Sequence, residues 1–544
     1  MRRWRLLWLG LSLALSWPSG PILGQTKAIE QTEPVEQTEP VEQMGLVEQT
    51  ELTYGPVYLA YAGPYSASPS SAFGHLVLLV PGGRDEPVPL WDVVTFGAET
   101  FGANALRYMA VGITGGFLGR YQSVDFHEKT LEYEKLEDRD LWIIELALSR
   151  SQRAALQREL DAVAGRWFPY TFFEKNCAYY LQELVARISD EIPSPSGVVS
   201  PTGFTNLVLR SSLAGPVYYR PAESQRLLAQ SASLARGVRA HLQTTPWTEV
   251  AADTRWIAER TRDERRFVQD YLAWKRLAET ERLSDEVSAG LSFLRLQTAR
   301  DTSVAEGPRG LPGRPVPAPR FHRYTRLSLA YVTGDGFGGG GVASTGSASR
   351  LSLAVRAALH DPTEPPLAHR PINSLGLLSA ELSTPTTSLA PRVDRAVLFA
   401  QRALAPSNWL TRRTSWLLEA LGQRGGVFGD EAFHVEVRAG LGKTYHVLTH
   451  GYAYGLMTVA GTGVCCGSSG LALGVESGAT WIPPGATRLG VRWSYEQLPT
   501  SWSRTFFRGQ AWIRHDVSDR WAAMLTANLV SSTAVARLGL IWYP

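Results

Sequence analysis

The chain has 544 residues, of which 44% are hydrophobic and 19% charged, with 54 basic and 51 acidic side chains. This length allows two or three domains, and the balanced charge argues against the basic surface of a nucleic-acid-binding protein. Its three cysteines, Cys177 and the adjacent Cys465 and Cys466, are too few for the paired disulfide framework of a small exported protein.

Residues 1–24 have the pattern of a secretory signal peptide. Three arginines, Arg2, Arg3 and Arg5, precede an apolar run from Leu6 to Trp17, and small residues follow up to Gly24. Because the run is short for a membrane span and is followed by prolines, we expect cleavage near Gly24; an uncleaved anchor is the alternative. The sequence therefore predicts an exported protein.

An acidic repeat fills residues 25–51. The hexapeptide Glu30–Val35 recurs at Glu36–Val41 and is echoed up to Glu51. A charged, proline-containing stretch of this kind buries no core. We predict a disordered spacer.

Residues 52–192 mix strand and helix patterns. Short apolar runs at Val57–Ala62 and His75–Val80, bounded by Gly, Pro and Ser, predict strands. Helical spacing covers Ser149–Trp167, with Ser149 or Ser151 as the N-cap, and Cys177–Ile188. These elements predict a small α+β domain.

The rest of the chain divides into a helical connector and a β region. Residues 193–306 are predicted to be mostly helical, and the Pro/Gly-rich residues 307–319 mark a domain boundary. From 320 to 544, apolar side chains alternate with small or polar ones, as at Val435, Val437, Ala439 and Leu441. A period of two predicts antiparallel β structure.

About twelve such segments are present, with tryptophans and tyrosines near their ends, and their length suits strands that cross a bilayer at a tilt. We therefore predict an antiparallel outer-membrane β-barrel of about 12 strands, with the N-terminal domain in the periplasm. A soluble β-sandwich or a periplasmic barrel is the alternative. The final segment, Leu538–Tyr543, is an amphipathic strand with terminal aromatics, although Pro544 departs from the usual aromatic terminus.

Two residues of the α+β domain carry the chemistry of a cysteine nucleophile. Cys177 opens a predicted helix, where free backbone N–H groups and the helix dipole favour a thiolate and can stabilise an oxyanion. A thiol also needs a base, and the domain contains His75 at a strand start and His127 in a charged stretch. We favour His75. Taken singly, such residues are more often a structural histidine and a buried apolar cysteine, so the hypothesis depends on their pairing.

The motifs around these residues resemble the Lnb N-terminal periplasmic domain family. The matching stretches, which together cover about residues 54–188, are Ser71–His75, Thr95–Ala98, Asp138–Trp142, Phe168–Tyr170 and Asn176–Ala178. The resemblance implies a permuted papain-type fold, which is also found in lecithin retinol acyltransferase and NlpC-type relatives. Characterised members of the family are lipoprotein acyltransferases that move an acyl chain from the lipid moiety to the N-terminal amine.

Carried over to this chain, the resemblance makes Cys177 the residue that is acylated by a lipid ester, and His75 the group that assists the attacking amine. A third polar group should orient His75, and its candidates are Asp92, Thr95 and Glu99. Asn176 is expected either to hold an oxyanion or to cap the helix. Tyr170 is expected to line the pocket.

The predicted function is cysteine-dependent acyl transfer on a lipid or lipoprotein of the bacterial envelope. The alternatives are peptidoglycan amide hydrolysis, which is the chemistry of NlpC-type relatives, and a non-catalytic barrel with a periplasmic adaptor domain. No metal, phosphate-loop or nucleic-acid motif is present, and Cys465 and Cys466 lie among glycines as in a turn, so no cofactor or metal is expected. The expected partners are the lipid or lipoprotein substrate and the outer membrane.

Overall fold

The N-terminal domain is built on one antiparallel sheet. In the computed structural model, the described residues are 55–65, 74–81, 88–99, 105–172, 174–283, 315–319, 326–334, 349–360, 373–386, 390–424, 433–464, 469–483, 485–497, 505–530 and 533–543. The predicted signal peptide, the acidic repeat and the Cys465–Cys466 pair lie outside them. Eight strands pair in the order β6-β4-β3-β2-β1-β5-β7-β8. They are β1 (Val57–Ala62), β2 (His75–Val80), β3 (Asp92–Glu99), β4 (Phe117–Asp125), β5 (Leu141–Leu146), β6 (Phe168–Tyr170), β7 (Ala214–Arg220) and β8 (Pro315–Val316).

Ten α-helices are assigned within the described residues, and none of these helices is long and apolar enough to cross a membrane. They are α1 (Ala105–Thr114), α2 (Phe126–Thr130), α3 (Arg150–Val163), α4 (Cys177–Ala186), α5 (Pro201–Arg210), α6 (Glu223–Ser231), α7 (Arg236–Thr244), α8 (Trp247–Ala252), α9 (Thr254–Ala258) and α10 (Arg262–Leu283). A π-helical turn, Leu131–Leu136, follows α2.

The centre of the sheet is covered on both faces. Every residue of β1 is buried. On one face Leu59 and Leu76 belong to a core shared with Leu181 of α4, and on the other face Tyr58 stacks on Trp91 with ring centroids 5.5 Å apart. A strand that is buried on both faces has an unbroken apolar sequence, and for this reason the predicted bounds of β1 and β2 are the observed ones.

The domain extends past residue 192, where the sequence predicted the connector to begin. Phe204 of α5 is fully buried in the main core, and β7 adds to the sheet beside β5. Gly215 and Pro216 interrupt the apolar run of β7, which explains why no strand was predicted there. β8, at residues predicted to be linker, pairs with β7 at the sheet edge.

Helices α6 to α10 form a cluster of their own around the buried side chains of Phe267, Tyr271 and Trp274. This cluster corresponds to the predicted helical connector. Leu410, which belongs to the C-terminal region, is buried in the same cluster. The connector thus packs against the region that follows it.

The C-terminal strands form a closed antiparallel barrel in which β9 pairs with both β10 and β20. Its twelve strands are β9 (Arg326–Gly334), β10 (Arg350–His360), β11 (Asn373–Pro385), β12 (Arg392–Ala403), β13 (Ser415–Arg424), β14 (Phe433–Leu448), β15 (Gly451–Val464), β16 (Ser469–Trp481), β17 (Thr487–Gln497), β18 (Thr505–Asp516), β19 (Trp521–Val530) and β20 (Thr533–Trp542). The predicted strand number and fold class are confirmed.

The outside of the barrel is apolar, and its inside is polar. Strand β17 shows the alternation, with exposed Leu489, Val491, Trp493 and Tyr495, and with Arg488, Ser494 and Glu496 buried on the opposite face. Exposed tryptophans occur near strand ends at Trp481 and Trp521. A closed barrel satisfies its backbone hydrogen bonds internally, and an outward apolar band with aromatic borders is what a bilayer requires.

One barrel connection reaches the N-terminal half of the chain. We call residues 404–414, between β12 and β13, the docking loop. Lys275 of α10 donates to the carbonyl oxygen of Leu410 at 3.1 Å, and Arg413 forms an ion pair with the buried Asp138 of the sheet domain. These contacts place the sheet domain, the helical cluster and one end of the barrel together.

Candidate active site

Cys177 is the first residue of α4, and Asn176 is the N-cap of that helix. The Asn176 Oδ1 atom accepts hydrogen bonds from the backbone N–H groups of Ala178 at 2.9 Å and Tyr179 at 3.1 Å. Its Nδ2 atom donates to the carbonyl oxygens of Phe172 and Val199. Of the two roles expected for Asn176, the geometry favours the cap, because both amide hydrogens are already used.

His75 begins β2, directly after a glycine that the backbone requires. Gly74 has φ +88°, and a Cβ atom at this position would lie 2.5 Å from the ring of Tyr61. A residue with a side chain would be strained at this φ and would collide with Tyr61, so this position requires glycine. The Nε2 atom of His75 lies 2.8 Å from the hydroxyl of Thr95, on the neighbouring strand β3. The imidazole is therefore held by a threonine hydroxyl.

The Cys177 thiol lies against the backbone at the start of β2, at the residue after His75. The backbone N–H groups of Leu76, the residue after His75, and of Ala178 donate to the thiol of Cys177. No direct hydrogen bond between the Cys177 thiol and the His75 ring is found among the described residues. Catalytic hydrogen bonds are often long until the substrate binds, so this geometry agrees with a resting site.

Burial keeps both groups neutral. Desolvation raises the pKa of the Cys177 thiol to about 11, against the opposing effect of the backbone hydrogen bonds. Desolvation, followed by the charges of Arg139 and Lys129, lowers the pKa of His75 to about 3. The expected thiolate at the helix start is therefore not the resting form, because Cys177 is only 4% exposed and desolvation outweighs the helix N-terminus.

A buried arginine beside the two groups was not among the predicted site residues. The guanidinium of Arg139 donates to the carbonyl oxygens of Gly63 at 2.5 Å and Ala62 at 3.1 Å, and it forms an ion pair with Glu137. It lies 4.9 Å from the ring centroid of Tyr133, which in turn lies 6.2 Å from the His75 ring centroid. The stretch Asp138–Trp142 was the available signal, since it is one of the motifs that resemble the family, but it assigned no role to Arg139.

An aromatic cluster surrounds Cys177 on the other side. The ring of Phe96 stacks on Tyr180 at 4.1 Å and on Tyr170 at 6.2 Å, and Phe117 and Phe172 complete the cluster. Tyr170, expected to line the pocket, is buried here, and burial raises its pKa well above the ordinary tyrosine value. The surroundings of the thiol are therefore mostly apolar.

The other predicted candidates lie away from His75. Asp92 accepts a hydrogen bond from Ser123 at 2.7 Å on the exposed side of the sheet, and Glu99 forms an ion pair with Arg120 at 3.3 Å. His127 lies 3.8 Å from Asp125, in a partly exposed pair. No group of three His, Cys, Asp or Glu side chains in the described part of the chain could hold a metal ion. Of the three orienting candidates, the geometry selects Thr95.

Two family models match the chain. Residues 49–211 match the Lnb N-terminal periplasmic domain, and residues 335–543 match a domain of unknown function, DUF7840. No curated protein matches the chain. The first match covers strands β1 to β6 and helices α1 to α5, with Cys177 and His75, and it confirms the resemblance found in the sequence motifs.

Solved structures resemble the chain over about two-fifths of its length. A KdgM porin in complex with disordered oligogalacturonate has 11% identity and a TM-score of 0.24, covering 40% of this chain and 98% of the porin. A NanC porin has 7% identity and a TM-score of 0.26 with the same coverage. OmpT of Vibrio cholerae has 8% identity and a TM-score of 0.20, covering 41% and 96%. These scores are low, and the description of the barrel depends on its own strands.

The chain is thus an outer-membrane protein with a periplasmic N-terminal domain. The matched family is periplasmic, and the barrel has the apolar outer surface and closed strand order that a bilayer requires. The candidate active site lies in the periplasmic part.

Proposed function

We propose that the N-terminal domain is a cysteine acyltransferase that acts on a lipid or lipoprotein of the bacterial envelope through a thioester on Cys177. The observation that carries this proposal is the position of the Cys177 thiol. It lies among backbone N–H donors from Leu76 and the start of α4, next to the histidine strand and against an aromatic wall.

In the first step, the Cys177 sulfur attacks the carbonyl carbon of a lipid ester. His75, which is neutral in the resting site, accepts the thiol proton during the attack and returns it to the leaving alcohol oxygen. The S–C bond forms and the ester C–O bond breaks. A neutral thiol and a neutral imidazole suit this order of steps, because the proton moves from Cys177 to His75 only when the sulfur attacks.

In the second step, an amine attacks the thioester carbonyl. His75 accepts a proton from the amine nitrogen and passes it to the departing sulfur, while the C–N bond forms and the C–S bond breaks. The N–H groups of Leu76 and Ala178 are the donors placed to stabilise the oxyanion of each step. The positive charge of Arg139 favours both the thiolate and the oxyanion.

The apolar surroundings favour an acyl chain over a polar peptide. Phe96, Tyr170 and Tyr180 form the wall beside the thiol. At the nearby sheet edge, Leu118 is 52% exposed on β4 and Trp167 is 48% exposed just before β6. Exposed large apolar side chains beside a buried apolar site suit the entry of a lipid.

The proposal is tested with the full-length protein in lipid vesicles, supplied with an acyl-labelled phospholipid or a diacylated lipoprotein. We expect the wild type to transfer the label to an amine, Cys177→Ala to transfer none, and Cys465→Ser/Cys466→Ser to behave as the wild type. A parallel assay measures release of peptides from peptidoglycan. Peptidoglycan cleavage without acyl transfer would instead make the protein an amidase, and label transfer by Cys177→Ala would refute the proposed site.

A further inference from the structure

The barrel encloses a cavity of about 540 Å³ whose charge is strongly unbalanced. Ten arginines and three carboxylates line it. A polar interior is usual for a membrane barrel, but polarity alone does not require an excess of one sign. The excess of arginines over carboxylates therefore needs a separate explanation.

The carboxylates of the cavity wall are all engaged by arginines of the same wall. The pairs are Asp394 with Arg392 at 2.9 Å, Glu419 with Arg402 at 2.8 Å, and Glu381 with Arg537 at 2.5 Å. Within each of these three pairs, the positive charge of the arginine balances the negative charge of the carboxylate. No other carboxylate is among the residues that line the cavity.

Four of the other arginines form no ion pair with any described carboxylate. They are Arg350, Arg395, Arg492 and Arg508. Arg492 donates to the neutral side chain of Gln510 at 3.2 Å. The Nη2 atom of Arg508 is buried and has no hydrogen-bond acceptor among the described residues. A buried cationic donor without an acceptor is unfavourable unless a ligand supplies one.

Two of these arginines face each other across the lumen. Arg395 lies on β12 and Arg492 on β17, five strands apart in a barrel of twelve. The charges of Glu419 and Glu381 act on Arg395 in the opposite sense to the charge of Arg492. Neither arginine forms an ion pair with a described carboxylate, so an anion between them would give both guanidinium groups a direct partner.

We propose that the barrel lumen binds an oligosaccharide-sized anion that carries carboxylate or phosphate groups. The volume lies in the range of pockets that enclose small molecules, and arginine recognises both oxyanions through paired N–H donors. Neutral side chains of the same wall, such as Gln510, Asn528 and Thr526, suit the hydroxyl groups of a sugar. This site is separate from Cys177, and the inference does not depend on acyl transfer.

The test measures binding to the full-length protein in detergent, by calorimetry, with three probes. Trimannuronate carries carboxylates, myo-inositol hexakisphosphate carries phosphates, and maltotriose is the neutral control. We expect at least one anionic probe to bind at least tenfold more tightly than maltotriose and to weaken as salt is added. The preferred anion identifies the ligand chemistry. Equal binding of the anionic and neutral probes, or no binding of either anion, would overturn the proposal.

The decisive variant is Arg395→Gln/Arg492→Gln. Because neither side chain forms an ion pair, the barrel should still fold, which its resistance to unheated SDS would check. Its affinity for the anion should fall at least tenfold. The matched control, Arg412→Gln/Arg520→Gln, removes two exposed arginines outside the cavity and should bind as the wild type does. Should the double variant fail the folding check, Arg508→Gln takes its place. Unchanged affinity in a folded lumen variant, or an equal loss in the control, contradicts the inference.

Discussion

At the scale of single residues, the proposed nucleophile Cys177 and the proposed base His75 are both neutral at rest. Desolvation separates the pKa values of Cys177 and His75 by raising one to about 11 and lowering the other to about 3. A preformed thiolate–imidazolium pair would need the reverse order. The proposed mechanism therefore depends on His75 as a base during the attack.

This protonation state predicts how Cys177 reacts with iodoacetamide as the pH changes. Only the thiolate is alkylated, so the rate should rise about tenfold per pH unit from pH 7 to beyond 9, because the folded pKa is about 11. The measurement uses the Cys465→Ser/Cys466→Ser protein with mass spectrometry, and the denatured chain, with an ordinary thiol pKa of about 8.5, is the control. A rate that is already level at pH 7 would show a preformed thiolate and contradict this account.

His75 and Cys177 should also act as one unit. Loss of an assisting acid/base typically lowers the rate by about a hundredfold to ten-thousandfold, and we expect His75→Ala to fall in this range while its thiol remains present. The double variant His75→Ala/Cys177→Ala should be little slower than Cys177→Ala. His127→Ala is the matched control and should retain the wild-type rate. If the rate losses of the two single variants instead multiply in the double variant, as measured in the acyl-transfer assay, the two residues act independently.

The sequence proposes Cys177 and His75 as candidates because their chemistry and position are both local. A cysteine at a helix start and a histidine after a glycine are visible in the chain itself. Thr95 could not be chosen over Asp92 and Glu99, since the choice depends on the register between β2 and β3. Arg139 was missed because the motif that contains it assigns it no role, and only the folded chain shows it buried against the end of β1.

At the scale of elements, predictability follows burial and periodicity. β1 is buried throughout, β2 is buried between its two end residues, and both have apolar runs, so their bounds were predicted as observed. α3 is shorter than predicted, Arg150–Val163, but it has the expected Ser149 cap in a full capping box with Gln152. β7 was missed because two backbone-breaking residues interrupt it and its partner strand is distant in sequence.

At this scale, the ion pair between the docking loop and the sheet domain leads to a testable prediction. Arg413→Ala leaves the buried Asp138 with hydrogen bonds from Ser224 and without its cation, a loss that usually amounts to about 1–3 kcal/mol. Hydrogen exchange of amides in residues 404–414 should therefore be about 5- to 150-fold faster. Arg412→Ala, which removes an exposed neighbour, is the control. Equal exchange in the two variants would mean that the ion pair does not hold the loop.

At the scale of the whole molecule, the barrel was the more predictable half. Alternation with a period of two survives over twelve strands because every strand has one face toward the outside and one toward the lumen. The number of strands and the closure follow from that repetition. The charge pattern of the lumen does not follow from this repetition, because it depends on which strands lie opposite each other, as β12 and β17 do.

The whole arrangement places a cysteine site on the periplasmic side of a membrane-embedded barrel, tied to it through the docking loop. A domain held in this way stays near the membrane, where lipid esters are concentrated. Acyl transfer through a thioester then requires a covalent intermediate on one identified atom, the sulfur of Cys177.

Intact-mass and peptide mass spectrometry of the full-length protein, after incubation with acyl-labelled phospholipid or lipoprotein in the absence of an amine acceptor, tests this central claim most directly. We predict an acyl adduct on the peptide that contains Cys177, which is released by neutral hydroxylamine and disappears when an amine is added. The adduct should be absent from Cys177→Ala. A wild-type protein that transfers acyl groups while its Cys177 stays unmodified, or an adduct found on another residue, would contradict the proposed mechanism.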